Sequence, residues 1–322
     1  MRNEPNIVFM GTPDFAVPSL RALMDAGYRV TAVVTQPDRP TGRKKTLTPT
    51  PVKEEALRLG LPVLQPPKLR ASDAVAALAA YEPDLIVTAA YGQILPKSVL
   101  ELPKYGCINV HGSLLPKYRG GAPIQRAIMN GESVTGVTIM YMAEGLDTGD
   151  MIAKAELAIG PDDDAGVVFE RLSEVGAKLL LETVPSILDG TAPRTPQNEA
   201  EATYSPNLTR DDERIDWSRS AADIYNQLRG LSPRPGAFTF WNGDVFKIWK
   251  AKRPEPGRAV SAAPGTVLDI GPEGLAVATG DGVFVATEVQ PAGKKALPVA
   301  EFVKGGQMKK GDALGAAAEE TR

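Results

Sequence analysis

The chain has 322 residues, of which 43% are hydrophobic and 23% charged. That is enough for about two domains each burying its own core, and it excludes a disordered or fibrous chain. Lys plus Arg number 36 against 39 Asp plus Glu, a net charge of −3, so wholesale basic attraction to nucleic acid is excluded and any such contact must be local. A single cysteine, Cys107, and a single histidine, His111, leave no intramolecular disulfide and no Cys/His zinc cluster.

The opening segment MRNEPNIVFMGTPDF meets Gly and Pro too early for a signal peptide, and no apolar run reaches the roughly 18 residues of a membrane span. A cytoplasmic chain, neither exported nor membrane-spanning, is expected. Ile7 to Met10 reads as a strand ending at Gly11, Phe15 to Ala26 as a helix, and Val30 to Val34 as a second strand. The alternation continues with helices at Val52 to Leu59 and Asp73 to Tyr81, then strands at Leu85 to Ala89, Cys107 to Val110 and Val137 to Met142. A long helix over Ala165 to Leu188 opens after three aspartates and carries Phe169, Leu172, Val175, Leu179 and Ile187 on one face. Strands and helices in alternation predict a mostly parallel sheet with helices on both sides.

The pattern breaks near Tyr204 to Trp217, a polar stretch with Pro206 that reads as a linker. Beyond it come one short helix, Ala222 to Arg229, and a hairpin turning at Asn242-Gly243. The runs GTVLDI, LAVATG and GVFVATEV, separated by Gly-rich turns, then predict a small antiparallel barrel. The division is therefore an α/β domain over 1–203, a linker over 204–217 and a β-barrel domain over 218–322. The tail from Gly311 to Arg322 is expected to fray.

Gly11-Thr12-Pro13 starts like a nucleotide-binding turn, yet neither a complete dinucleotide fingerprint nor a P-loop follows, so NAD and ATP are rejected. Asn109 and His111 lie two apart on one strand and so project from the same face, at the carboxyl end where open α/β sheets bind ligands. Both suit the stabilisation of an oxyanion. Asp147 and Asp150 lie in a turn-rich segment, and a carboxylate brought beside His111 would hold the ring and favour its charged form. Ser113 raises a Ser/His/Asp hydrolase as a rival, without the G-x-S-x-G elbow, while Leu114-Leu115-Pro116 reads as an apolar pocket lining.

From Asp38 to Arg70 there are eight Lys/Arg against three acids, including Arg43, Lys44 and Lys45, a local excess suited to phosphate. Its Pro, Gly and Lys content predicts disorder before a partner arrives. Lys294 and Lys295 head a second cluster, five lysines between residues 290 and 310 against Glu301 alone. Residues 207–322 hold 16 Lys/Arg and 15 Asp/Glu, so any field there comes from patches rather than from net charge.

The segments FMGTPDFAVPSL, VVTQPDRPTGRKK, TPTPVKEEA, AAYGQILP, INVHGSLLPKYRGGAPIQRAI, TGVTIMYMAEGLDTGDM, RIDWS and PAGKK together resemble the methionyl-tRNA formyltransferase family over essentially the whole chain. The Asn-x-His, Ser-Leu-Leu-Pro and later Asp pattern is shared by other enzymes using 10-formyltetrahydrofolate. The basic insertion, PAGKK and the β-rich C-terminal half narrow the acceptor to tRNA. The resemblance implies a Rossmann-like N-terminal domain and a barrel similar to an OB-fold. It assigns Asn109, His111 and Asp147 to catalysis, Ser113, Leu114, Leu115 and Pro116 to the folate site, and Arg43 to tRNA; Lys44, Lys45, Lys294 and Lys295 are the expected companions. It implies 10-formyltetrahydrofolate as formyl donor, no metal, initiator methionyl-tRNA as acceptor, and a monomer. The rivals are another formyltransferase, a Ser/His/Asp hydrolase, and an RNA-binding module with a degenerate α/β domain.

Overall fold

Short apolar runs at the start of the chain form parallel strands buried on both faces, which is why they lack polar alternation. The computed structural model describes residues 4–42, 44–255 and 260–316, in two compact units. One runs to Pro123 and adds Val134–Ala158 and Phe169–Ser205; the other joins Ile124–Ser133 and Ile159–Val168 to the chain from Pro206 onward.

The strands of the first unit are β1 (Ile7–Gly11), β2 (Val30–Val34), β3 (Arg39–Thr41), β4 (Thr46–Thr48), β5 (Val63–Leu64), β6 (Leu85–Ala89), β7 (Cys107–His111), β8 (Val134–Tyr141) and β9 (Met151–Ala158). Along the same stretch of chain lie helices α1 (Val17–Asp25), α2 (Pro51–Arg58), α3 (Ser72–Ala79), α4 (Lys97–Leu100), α5 (Pro123–Met129) and α6 (Ala165–Leu188). The seven-stranded sheet has the order β5-β2-β1-β6-β7-β8-β9. Its first five strands are parallel, and β8 and β9 return antiparallel.

One face carries Val8, Met10, Ile86 and Cys107 against Leu78 of α3 and Val99 of α4. On the other, Val110 and Val137 meet α6 at Gly176, where a Cβ would stand 2.9 Å from Val110 Cγ1. The strand order reverses between β1 and β6, the usual ligand crevice of such sheets. Here that crevice is knitted shut at its base: Thr12 donates to the Tyr91 carbonyl at 2.8 Å, and Gln36 Nε2 to the same oxygen at 3.2 Å.

The basic stretch predicted to be disordered carries the β3–β4 hairpin, with Arg39 opposite Thr48. Asp38 anchors its base through an ion pair with Lys53 at 2.7 Å and a bond from Gln65 at 2.6 Å. Composition misses such anchoring because it depends on Lys53 of α2 and Gln65 just after β5. Arg43 lies outside the described residues; Lys44 and Lys45 are exposed in the turn.

The second unit contains α7 (Arg210–Glu213), α8 (Ala221–Gly230), the strands β10 (Ala237–Trp241), β11 (Asp244–Lys252), β12 (Val267–Gly271), β13 (Gly274–Ala278), β14 (Val283–Gln290) and β15 (Leu297–Pro298), then α9 (Val299–Phe302). The antiparallel path is β10-β11-β14-β13-β12. Asn242 (φ 52°) and Gly243 (φ 83°) turn the first hairpin with both residues left-handed, as a tight hairpin matching strand twist demands. The edges meet through the tail, since Leu314 bridges Trp241 of β10 and Ala313 bridges Thr266 just before β12. Residues 313 and 314 thus do not fray: they close the barrel, because two sheet edges need their backbone groups satisfied. The stretch 204–217 is likewise ordered. Thr209 and Asp212 form a capping box on α7, and Ile215 and Trp217 are buried in the barrel core. No helix among the described residues is long and apolar enough to cross a membrane.

Candidate active site

Strand β7 delivers two polar side chains to the face it shares with Cys107. Asn109 is half-buried, and its Oδ1 accepts from the Thr88 hydroxyl of β6 at 2.9 Å. A side-chain amide fixed by its oxygen turns its NH₂ donor outward. His111, buried to 5% exposure, has Nε2 3.0 Å from the carbonyl oxygen of Tyr118. A carbonyl only accepts, so Nε2 carries a proton and Nδ1 is the ring nitrogen on the other side.

Nδ1 faces Asp147, whose Oδ2 lies 3.7 Å away, longer than a direct hydrogen bond. The same Oδ2 accepts from the Gly120 backbone at 2.8 Å. Asp147 stands on the loop between β8 and β9, in a left-handed conformation with φ 51°. Gly149 is obligatory there because a Cβ would fall 1.7 Å from the Tyr141 carbonyl oxygen. The fold therefore joins Asn109, His111 and Asp147, which stand 38 residues apart at the extremes of the sequence segment, into one constellation.

The Ser113–Pro116 turn that follows β7 is mostly interior. Ser113 is buried and its hydroxyl donates to the Lys117 carbonyl at 2.7 Å. Leu115 packs against Met140 and Met151, and Lys154 Nζ donates to its carbonyl. The Leu115–Pro116 peptide is cis, and Leu114 is the partly exposed member of the turn. With Ser113 bound to Lys117 and His111 Nε2 to Tyr118, serine and histidine do not form the hydrogen-bonded relay of a Ser/His/Asp hydrolase.

Asp150 sits 3.7 Å from Arg194, whose guanidinium stacks 3.8 Å from the Tyr141 ring centroid. Lys294 and Lys295 are exposed on the turn after β14, with the Lys294 carbonyl accepting from Gln290 at 2.8 Å. The sequence reading missed Thr88, Tyr118, Gly120 and Gln197, which touch the three central residues or their backbone. No spacing signal links them to the central residues, since Thr88 and Gln197 lie on distant segments and Tyr118 and Gly120 act through backbone groups.

The formyl transferase family model matches residues 5–184, and that of the formyl transferase C-terminal domain matches residues 207–307. A methionyl-tRNA formyltransferase of Bacillus subtilis is 55% identical over 310 residues, 96% of this chain and 97% of its own. Its counterpart from Bacillus licheniformis is 56% identical over 310 residues, covering 96% and 98%. Among solved structures, a HypX variant from Aquifex aeolicus is alike in fold, with a TM-score of 0.65 at 20% identity. That match covers 96% of this chain and 49% of HypX, so the chain spans about half the length of that protein. With the relatives matched almost end to end and both family models in place, this chain belongs to the methionyl-tRNA formyltransferase family of formyl transferases.

Proposed function

We propose that this enzyme transfers the formyl group of 10-formyltetrahydrofolate to the amino group of methionine on initiator tRNA, with Asn109, His111 and Asp147 at the reacting atoms. The observation that carries the reading is His111 Nδ1 facing Asp147 at 3.7 Å beside an Asn109 amide whose oxygen is already occupied by Thr88. The amine nitrogen attacks the formyl carbon and the carbonyl π electrons move onto oxygen. Asn109 NH₂ donates to that oxyanion, an effect worth about 2.7–4 kcal/mol per preorganised donor. The proton shed by the amine passes to the His111–Asp147 pair and on to N10 of the folate as the tetrahedral carbon collapses, so charge and protons balance. Leu114 and the backbone of the Ser113–Pro116 turn contribute to the folate site.

The domains act as 1–203 for chemistry and 218–322 for tRNA, joined by 204–217. Arg43, Lys44, Lys45, Lys294 and Lys295 neutralise tRNA phosphates, so affinity falls with salt and the slope is reduced in Arg43→Ala. The enzyme works as a cytoplasmic monomer. The test is formyl transfer to charged initiator tRNA beside charged elongator methionyl-tRNA and free methionine, with His111→Ala as control. Product on the initiator alone, lost in the variant, supports the reading; product on the elongator or on free methionine overturns the acceptor assignment.

A further inference from the structure

The reacting pair is held by a second layer of residues that the family resemblance did not assign. Arg119 is completely buried, at 0% exposure, three residues after the interior turn. Its guanidinium makes two forks. Nε and Nη2 donate to Gln197 Oε1 at 3.0 and 2.9 Å, while Nη1 and Nη2 donate to the two Glu199 oxygens at 2.9 and 2.7 Å. Gln197 Nε2 then donates to the backbone carbonyls of Asp147 at 2.7 Å and Gly149 at 2.9 Å. Guanidinium only donates and carbonyls only accept, so the residue between them must accept on one side and donate on the other. An amide does both; a carboxylate cannot.

The backbone around Arg119 completes the clamp. Tyr118 supplies the carbonyl on His111, and Gly120 supplies the N–H on Asp147. This segment is pinned to 203–205 by bonds from Arg119 N to Thr203 O at 2.8 Å and from Ser205 N to Arg119 O at 2.6 Å. A further bond runs from the Ser205 hydroxyl to Tyr118 O at 3.0 Å. Both Tyr118 (φ 59°) and Asp147 (φ 51°) are left-handed. Such conformations persist for non-glycine residues only when their surroundings over-determine them.

We propose that Arg119 and Gln197 are positioning residues that set the distance between His111 Nδ1 and Asp147, with Glu199 orienting the guanidinium. This rests on the reading of His111 and Asp147 as the reacting pair. Gln197→Glu isolates the function, because it keeps an acceptor for Arg119 and removes the donor to the Asp147 loop.

The experiment measures kcat and both KM values for Gln197→Glu, Asp147→Asn and the double variant, with thermal unfolding of each. A misplaced reacting group costs rate rather than binding, so kcat of Gln197→Glu falls about ten- to a hundredfold while both KM values stay within about twofold. The double variant is then no slower than Asp147→Asn alone, since both changes act through one group. Wild-type kcat in Gln197→Glu with an inactive Asp147→Asn overturns the clamp and leaves the active-site reading intact. An active Asp147→Asn overturns the active-site reading itself. A loss confined to KM, or additive losses in the double variant, also overturns the clamp. If Gln197→Glu fails to fold, Glu199→Gln decides, because that side chain is 70% exposed and glutamine keeps an acceptor for Arg119. A kcat lowered about threefold at unchanged KM supports the clamp, and a wild-type kcat overturns it.

Discussion

The two units reach order by opposite routes. In the barrel most neighbours in the sheet are neighbours in sequence, with β11–β14 the exception: β10 pairs β11 across two residues, and β12 pairs β13 across a Gly271–Gly274 turn. In the first unit, β1 pairs β6 with Ile7 opposite Leu85, and His111 receives its partners from residues 118 and 147. Local turns write barrel topology into short stretches of sequence, whereas a parallel sheet needs crossovers and brings together residues that share no stretch at all. The residues proposed to react sit in the non-local unit, where a strand end surrounded by loops from distant segments can aim several side chains at one point.

The largest expected effect sharpens that contrast. Asn109→Ala removes a donor held by Thr88 and should lower kcat about a hundred- to a thousandfold, or about 2.7–4 kcal/mol, with unfolding unchanged. Steady-state kinetics beside a denaturant titration check this, and a small kcat effect would place the oxyanion elsewhere.

Next comes the seam at which the tail closes the barrel. Leu314 is 6% exposed in the barrel core, and its backbone bonds Gly265 O at 2.8 Å while Gly315 N reaches Phe240 O at 2.9 Å. Leu314→Ala should cost about 2–4 kcal/mol in urea unfolding. Hydrogen exchange should rise at β10 and β12, the edges that it closes, and uniform protection would show that the local hairpins hold the barrel unaided.

A smaller effect belongs to acid. Glu55, a buried residue of α2, takes bonds from Arg58 at 2.6 and 3.0 Å and Arg21 at 2.7 and 3.0 Å, which hold its carboxyl down at about 2. A lowered folded value means stability that is present above the ordinary value of 4.5 and lost as pH falls toward 2. Because both arginines are half-exposed, the loss is about 1–2 kcal/mol rather than the full linkage value. Unfolding of wild type and Glu55→Gln should therefore differ at pH 7 and converge at about pH 2.

The smallest effect separates transferase from hydrolase. Ser113→Ala deletes one turn bond to Lys117, costing about 0.5–1.5 kcal/mol of stability with kcat nearly intact. Abolished turnover would restore the serine as a nucleophile.

Much of this was legible in the chain itself. The helix over Ala165–Leu188 was readable to the residue, because its apolar face has an uninterrupted helical period and an acidic start. The Asn242-Gly243 hairpin was equally plain, since few other pairs accept two left-handed residues in succession. Asn109 and His111 could be placed on one strand face by parity alone, and the quoted motifs tied them to formyl chemistry. The β3–β4 hairpin, the closure by residues 313 and 314 and the burial of Trp217 were not legible, because each depends on a partner far along the chain.

Sequence determined most element types, the two-part layout and the choice of candidate side chains, for these follow from periodicity, turn chemistry and residue type. Tertiary structure alone decided which ring nitrogen of His111 faces Asp147, through the Tyr118 carbonyl on the other. It alone placed Arg119 and Gln197 behind that pair, 78 residues apart. Hydrogen bonds carry no periodicity, so a partner that far away leaves no trace in the chain until the fold brings donor and acceptor within reach.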